Sequence, residues 1–198
     1  MNTYFIVYKP FRVLSQFTSE DGKKTLKDFF KVPNDVYALG RLDYDSEGLL
    51  ILTNDTKLNR ALLDPLQAHE REYWVQVEGE ITQQAIDKLE AGVTITITGK
   101  KYDTKRCEAK IVFPAPDVAV RNPPIRYRKS VADSWIKIIV MEGKNRQVRR
   151  MTASVGFPTL RLIRYRIEKI TVEDLQPGEM KEVSKSELYN LLRIIKMK

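Results

Sequence analysis

Arg41, Asp43, Asp45 and Glu47 lie close together in the stretch Gly40–Asp55, which reads GRLDYDSEGLLILTND. Such groups at the edge of a buried strand are costly unless they are paired or used. A carboxylate in that position can act as a nucleophile or a general base. A neighbouring cation would keep it ionised in a dry pocket. The same residues also suit an ordinary Asp/Gly turn leading into a core strand, and their types alone do not separate the two readings. The second half of the stretch, Leu49-Leu50-Ile51-Leu52-Thr53, is an apolar run of strand length between Gly48 and Asn54-Asp55. It predicts a strand buried on both faces.

Three basic constellations offer binding chemistry. In EGKNRQVRRM, from Glu142 to Met151, helical spacing puts Val148, Met151 and Val155 on one side. Arg146 and Arg150 then stand one turn apart, as do Asn145 and Arg149. A Gly-containing turn precedes this helix, so its first N–H groups and its arginines can hold a phosphate, although a solvated face has the same pattern. RNPPIRYRK, from Arg121 to Lys129, is a stiff basic arm in which Arg126, Arg128 and Lys129 flank Tyr127. Cations beside an aromatic surface suit single-stranded or distorted RNA, and equally a surface loop with an ordinary cation load. Arg161, Arg164 and Arg166 are interleaved with Leu162, Ile163, Tyr165 and Ile167. At least one of these arginines must approach a buried face and would need a carboxylate. Asp43 is a candidate for that partner, with Arg149 as the competing cation.

The elements that must position these residues are mostly strands. Tyr4–Tyr8 reads as a strand stopped by Lys9-Pro10, and Val36–Leu39 as a short strand entering the acidic stretch. Thr25 caps a short helix over Leu26–Phe30, and Asn54-Asp55-Thr56 caps another that ends before Pro65. Tyr73–Val77 is a strand, Glu80-Ile81-Thr82 opens a helix with Ala85, Ile86 and Leu89 on one face and Gly92 to end it, and Val93–Ile97 is a half-buried strand. Gly99–Lys105 reads as a polar turn. Strands follow at Ala109–Phe113, Ser134–Met141, Thr159–Tyr165 and Ile167–Val172, with a helix from about Arg146 to Val155. Ser184 with Glu187 forms a capping box for an amphipathic tail helix reaching Met197. This irregular mixture is an α+β pattern.

The chain has 198 residues, enough for a substantial core, and no repeat, linker or low-complexity segment. Its 34 Lys+Arg exceed 26 Asp+Glu, for a net charge of +8, a pI of about 9.5 and a mean hydropathy of -0.38. That balance favours a polyanionic partner such as nucleic acid. The single cysteine, Cys107, excludes an intrachain disulfide and points to a reducing compartment. With His69 as the single histidine, a zinc site is not expected. No signal peptide or membrane span is read, and a cytoplasmic protein is expected.

Taken in order, Lys9-Pro10, Gly40–Asp55, Tyr73-x-Val75, GKNRQVRRM and Leu162-Ile163-Arg164 resemble the pseudouridine synthases of the RsuA type, which isomerise uridine in ribosomal RNA. RNPPIRYRKS and MTASVGFPTLRLIRY are similar to a subfamily acting on the 23S RNA of the large subunit. Members of that subfamily lack the S4 RNA-binding domain of their relatives, and this chain is expected to be a single catalytic domain over 1–198. One departure is Tyr44, where many relatives have arginine, which affects one phosphate contact.

The resemblance implies an α+β fold with a mixed, largely antiparallel sheet split by a central active-site cleft and flanked by helices. It makes Asp43 the catalytic aspartate and Tyr73 the tyrosine that packs on the target base, a candidate to take its C5 proton. Arg149 is implied as the arginine paired with the aspartate, Leu162 as the apolar residue under the uracil, and Arg41 as a holder of the flipped nucleotide's surroundings. Arg126, Arg128, Arg146, Arg150 and Arg164 are the remaining expected RNA contacts. The reaction loses no atom and changes no redox state, so no cofactor or metal is expected. The expected partner is 23S rRNA, free or in an assembly intermediate, with the protein a monomer. Two other readings share part of the signal: a non-catalytic rRNA-binding or assembly factor on the same fold, and a carboxylate-based nucleoside glycosidase.

Overall fold

The computed structural model describes residues 2–64, 67–125 and 132–194. The chain divides into two compact units, one built from the residues up to His69 and from Arg164 onward, the other from Glu70–Ile163.

The first unit is centred on two strands, β1 (Tyr4–Lys9) and β3 (Glu47–Thr53), every residue of which is buried. They pair antiparallel from Tyr4↔Thr53 to Lys9↔Gly48. The expectation of a doubly buried strand holds: Leu49, Leu50, Ile51 and Leu52 are all 0% exposed. Each such side chain contributes about 1.5–3 kcal/mol of burial, which makes this pair the rigid base of the unit. Strand β2 (Tyr37–Leu39) pairs with the second half of β3, from Tyr37↔Thr53 to Leu39↔Ile51. Phe5, Val7, Leu50 and Leu52 face a core closed by Val13, Leu26, Phe30 and Val36, the residues of the connection between β1 and β2. Helix α1 (Thr56–Leu63) follows β3 and is capped by Asp55, whose carboxylate accepts from the Lys57 and Leu58 amides. The same carboxylate takes the hydroxyls of Tyr4 and Tyr189, each at 2.8 Å, and so ties β1 to helix α4 (Lys185–Leu191).

In the second unit, β4 (Arg71–Glu78) pairs along its whole length with β8 (Asp133–Val140), and β7 (Glu108–Val112) lies on the other side of β8. Helix α2 (Gln83–Ala91) begins at Thr82, whose hydroxyl accepts the Ala85 amide, and ends at Gly92. Gly92 has φ +95°, and a Cβ there would stand 2.5 Å from the Thr104 carbonyl oxygen, so only glycine fits. Strands β5 (Thr94–Ile97) and β6 (Lys100–Asp103) make a separate hairpin against which α3 (Gln147–Ser154) packs. Gly99–Lys105, expected as a turn, therefore contributes a strand. The core joins Val75 and Val77 of β4, Ile136 and Ile138 of β8, Ile86 and Leu89 of α2, and Val148 and Met151 of α3.

Strand β9 (Thr159–Ile167) runs through the boundary, with its first residues in the second unit and Arg164–Ile167 in the first. Short strand β10 (Ile170–Thr171) turns back on β9, and β11 (Met180–Glu182) adds to the outer edge of β1. Each of these strand pairs is antiparallel, and the α+β class with a largely antiparallel sheet stands. Among the described residues no helix is long and apolar enough to cross a membrane.

Candidate active site

Asp43 sits in the loop that delivers the chain into β3. It is half-buried, and its carbonyl accepts the Ser46 amide at 3.0 Å, closing a turn over Tyr44-Asp45. The loop is pinned at several points. Ser15 brackets Leu42, its hydroxyl donating to the Leu42 carbonyl at 2.8 Å and accepting the Leu42 amide at 3.0 Å. The Arg12 amide donates to the Tyr44 carbonyl at 2.8 Å. Arg164, only 5% exposed, donates from Nε to the Leu49 carbonyl at 2.8 Å and from a terminal nitrogen to the Arg41 carbonyl at 3.5 Å. A carboxylate on a loop held this way is preorganised rather than selected from many conformers.

Beneath the loop lies a residue that the sequence marks as part of a strand stop and of the first family motif, without a role at the site. Lys9 is 0% exposed, and its ammonium donates to the carbonyls of Pro10 at 2.9 Å and Val13 at 2.7 Å. Burial pushes it down to about 7. The Glu47, Asp45 and Asp43 carboxylates act in the opposite direction, and Arg164 adds to the depression. Ser46 and Glu47 are each 1% exposed, so the acidic end of β3 is interior. The available signal was a lysine at the end of an apolar strand; its pairing opposite Gly48, next to Glu47, comes from the fold.

The second unit holds Tyr73, Arg146, Arg149, Arg150 and Leu162. Tyr73, in β4, is half-buried and packs on the core cluster that contains Leu162, itself 5% exposed. The two residues expected to contact the uracil thus belong to one cluster. Arg149 lies half-buried on α3. Arg146 is exposed and initiates α3 in the left-handed region, at φ 51°. Arg150 is engaged by the protein: Nε donates to the Asn145 carbonyl at 3.1 Å, and a terminal nitrogen donates to the Thr96 carbonyl of β5.

Glu142 organises the turn before α3. It accepts the Tyr102 hydroxyl, the Lys105 amide at 3.0 Å and the Gln147 side-chain amide at 2.6 Å. Its bond to Tyr102, helped by burial, raises that phenol to about 12. Arg41 is exposed. Arg126 and Arg128 lie outside the described residues. Arg161, the other buried arginine of β9, donates to the Ala119 carbonyl at 2.8 Å.

The chain matches the model of the RNA pseudouridylate synthase family over residues 3–154. It is 50% identical over 179 residues to the ribosomal large subunit pseudouridine synthase E of Vibrio parahaemolyticus, covering 90% of this chain and 72% of that one. The enzyme of the same name from Xanthomonas axonopodis is 45% identical over 174 residues, covering 87% of this chain and 89% of the relative. A crystal structure of a pseudouridylate synthase superposes with a TM-score of 0.78 at 25% identity, covering 96% of this chain and 74% of that structure. Fold, motif order and these matches agree, and the chain belongs to the RNA pseudouridylate synthase family.

Proposed function

We propose that this enzyme isomerises one specific uridine of 23S rRNA to pseudouridine, working in the cytoplasm as a monomer and as a single catalytic domain. The observation that carries the reading is the 50% identity, over 90% of the chain, to an enzyme named for the large ribosomal subunit. The net charge of +8 supports a polyanionic substrate.

Isomerisation breaks the N1–C1′ bond, turns the uracil and rejoins it through C5. The proton leaves C5 and N1 gains one, so the atoms balance without a redox partner. Asp43 is proposed as the group that either attacks C1′ or removes the C2′ proton to give a glycal. Arg149 is the arginine that the family resemblance pairs with that aspartate. Tyr73 and Leu162 are proposed to contact the uracil, with Tyr73 proposed as the acceptor of the C5 proton. The base must first leave its stack, at a cost of a few kcal/mol. Arg41, Arg146 and Arg150, with Arg126 and Arg128 of the basic arm, are proposed to hold the surrounding backbone. Arg164 is proposed to act at closest range, through the loop that carries Asp43.

Tritium release from 23S rRNA carrying 5-tritiated uridine tests the reading. An isomerase releases the label, a glycosidase yields free uracil, and a binding protein does neither. Mapping pseudouridines in rRNA from cells with and without the gene then identifies the site.

A further inference from the structure

A cluster of cations in the second unit is not used by the chemistry above. The β5–β6 hairpin turns through Thr98-Gly99 and presents Lys100 and Lys101, both exposed. The cross-strand pairs Thr94↔Asp103 and Thr96↔Lys101 are exposed throughout, whereas Ile95 is 3% exposed and packs with Tyr102 on the core. One face of the hairpin, with Ile95, Ile97 and Tyr102, is therefore anchored, the other, with Thr94, Thr96, Lys101 and Asp103, is polar, and Lys100 and Lys101 stand side by side at its exposed turn.

The structure joins this face to the turn that starts α3. Arg150 donates to the Thr96 carbonyl, and the Lys144 ammonium sits 4.9 Å from the centre of the Tyr102 ring. Tyr102 and the Lys105 amide both bond to Glu142, two residues before Lys144. The hairpin cannot move independently of that turn without breaking these contacts. The nearby acids are already engaged: Asp103 accepts the Thr94 hydroxyl, and Glu142 accepts Tyr102 and Gln147. Lys100, Lys101, Lys105 and Lys144, all exposed, thus surround one held turn and outnumber its two engaged acids, with the Tyr102 ring beneath Lys144.

We propose that the β5–β6 hairpin and the turn before α3 form a second RNA-docking surface, which grips the phosphodiester backbone of rRNA away from the target nucleotide. A fixed cluster of exposed cations suits backbone contacts, which add affinity and orientation without reading sequence. The inference rests on the RNA reading of the previous section.

The test measures equilibrium binding of a 23S rRNA fragment by wild type, by the pair Lys100→Glu and Lys101→Glu, and by the pair Lys57→Glu and Lys169→Glu. The latter two lysines are exposed in the first unit and carry the same charge change. The hairpin pair should weaken binding about tenfold and flatten the slope of log affinity against log salt by roughly 0.7 per lost contact, while the first-unit pair changes far less. Equal losses in both pairs would reduce the effect to net charge and overturn the surface, as would unchanged affinity in the hairpin pair. The enzyme reading has its own readout. Wild type that releases no tritium from the fragment refutes that reading, whereas tritium release with unaltered hairpin-pair binding refutes only the surface.

Discussion

Gly48 and Arg164 approach so closely that a Cβ on Gly48 would lie 2.8 Å from the Arg164 amide nitrogen and nearer still to its carbonyl oxygen. Gly48 also has φ +106°, a region that L-residues avoid. Gly48→Ala is therefore expected to destabilise the protein by about 3 kcal/mol or more, from backbone strain and overpacking together. Denaturant unfolding measures this directly. A loss below about 1 kcal/mol would mean that β3 and β9 can separate at little cost, and the loop before β3 would not be rigidly held.

The Arg164 side chain then does what its backbone makes possible, reaching the Leu49 and Arg41 carbonyls on either side of the Asp43 loop. Lysine keeps the charge but lacks the planar fork that serves two acceptors. Arg164→Lys should lower kcat about ten- to a hundredfold, because a displacement on the order of 1 Å of the loop that carries the proposed catalyst Asp43 is costly. KM for rRNA should change little. A variant with raised KM and unaltered kcat would instead place Arg164 among the direct RNA contacts.

How much of this was legible in the sequence depends on where the energy of each element lies. Strand β3 was readable because Leu49–Leu52 are buried on both faces and its apolar run is continuous. Strand β6, KKYD, reads as a turn in the sequence because only Tyr102 packs on the core and the strand exists through its pairing with β5. Strand β11 has three exposed residues and owes its conformation to the edge of β1. Helix α4 was expected to reach Met197 but ends at Leu191, and Arg193 turns left-handed at φ 54°. At the site, the acid-rich loop was visible as a charge anomaly, and family resemblance singled out Asp43. The clamps from Ser15 and Arg164 were not legible, because they join residues 27 and 123 positions apart to backbone carbonyls.

Lys9 makes stability depend on pH in a definite direction. Its folded pKa is depressed to about 7 from 10.5, so between those values the unfolded chain holds a proton that the folded chain has lost. Raising pH through that window favours the fold, by up to about 1.4 kcal/mol per pH unit from this group. Below 7 the penalty of the buried charge is at its full value. Wild type should therefore gain stability relative to Lys9→Met between pH 7 and pH 9, measured by denaturant midpoints at both. Parallel behaviour of the two proteins would show that Lys9 titrates normally.

Asp43 and Asp45 stand two residues apart in the turn, similar in exposure and identical in chemistry, so a conservative pair of substitutions separates catalyst from scaffold. Asp43→Asn keeps the volume and the backbone bond from the Ser46 amide to the Asp43 carbonyl while removing the charge. It should reduce tritium release by about 10⁴-fold or more, as loss of a catalytic nucleophile or base does, with rRNA affinity largely retained. Asp45→Asn should keep most turnover and lose at most about 1–2 kcal/mol of stability, since its role is to shape the turn. The decisive comparison is single-turnover kinetics of both variants on the same rRNA. If Asp45→Asn is the inactive one, the catalytic assignment moves two residues along the loop. If both remain active, the carboxylate chemistry lies elsewhere in the chain.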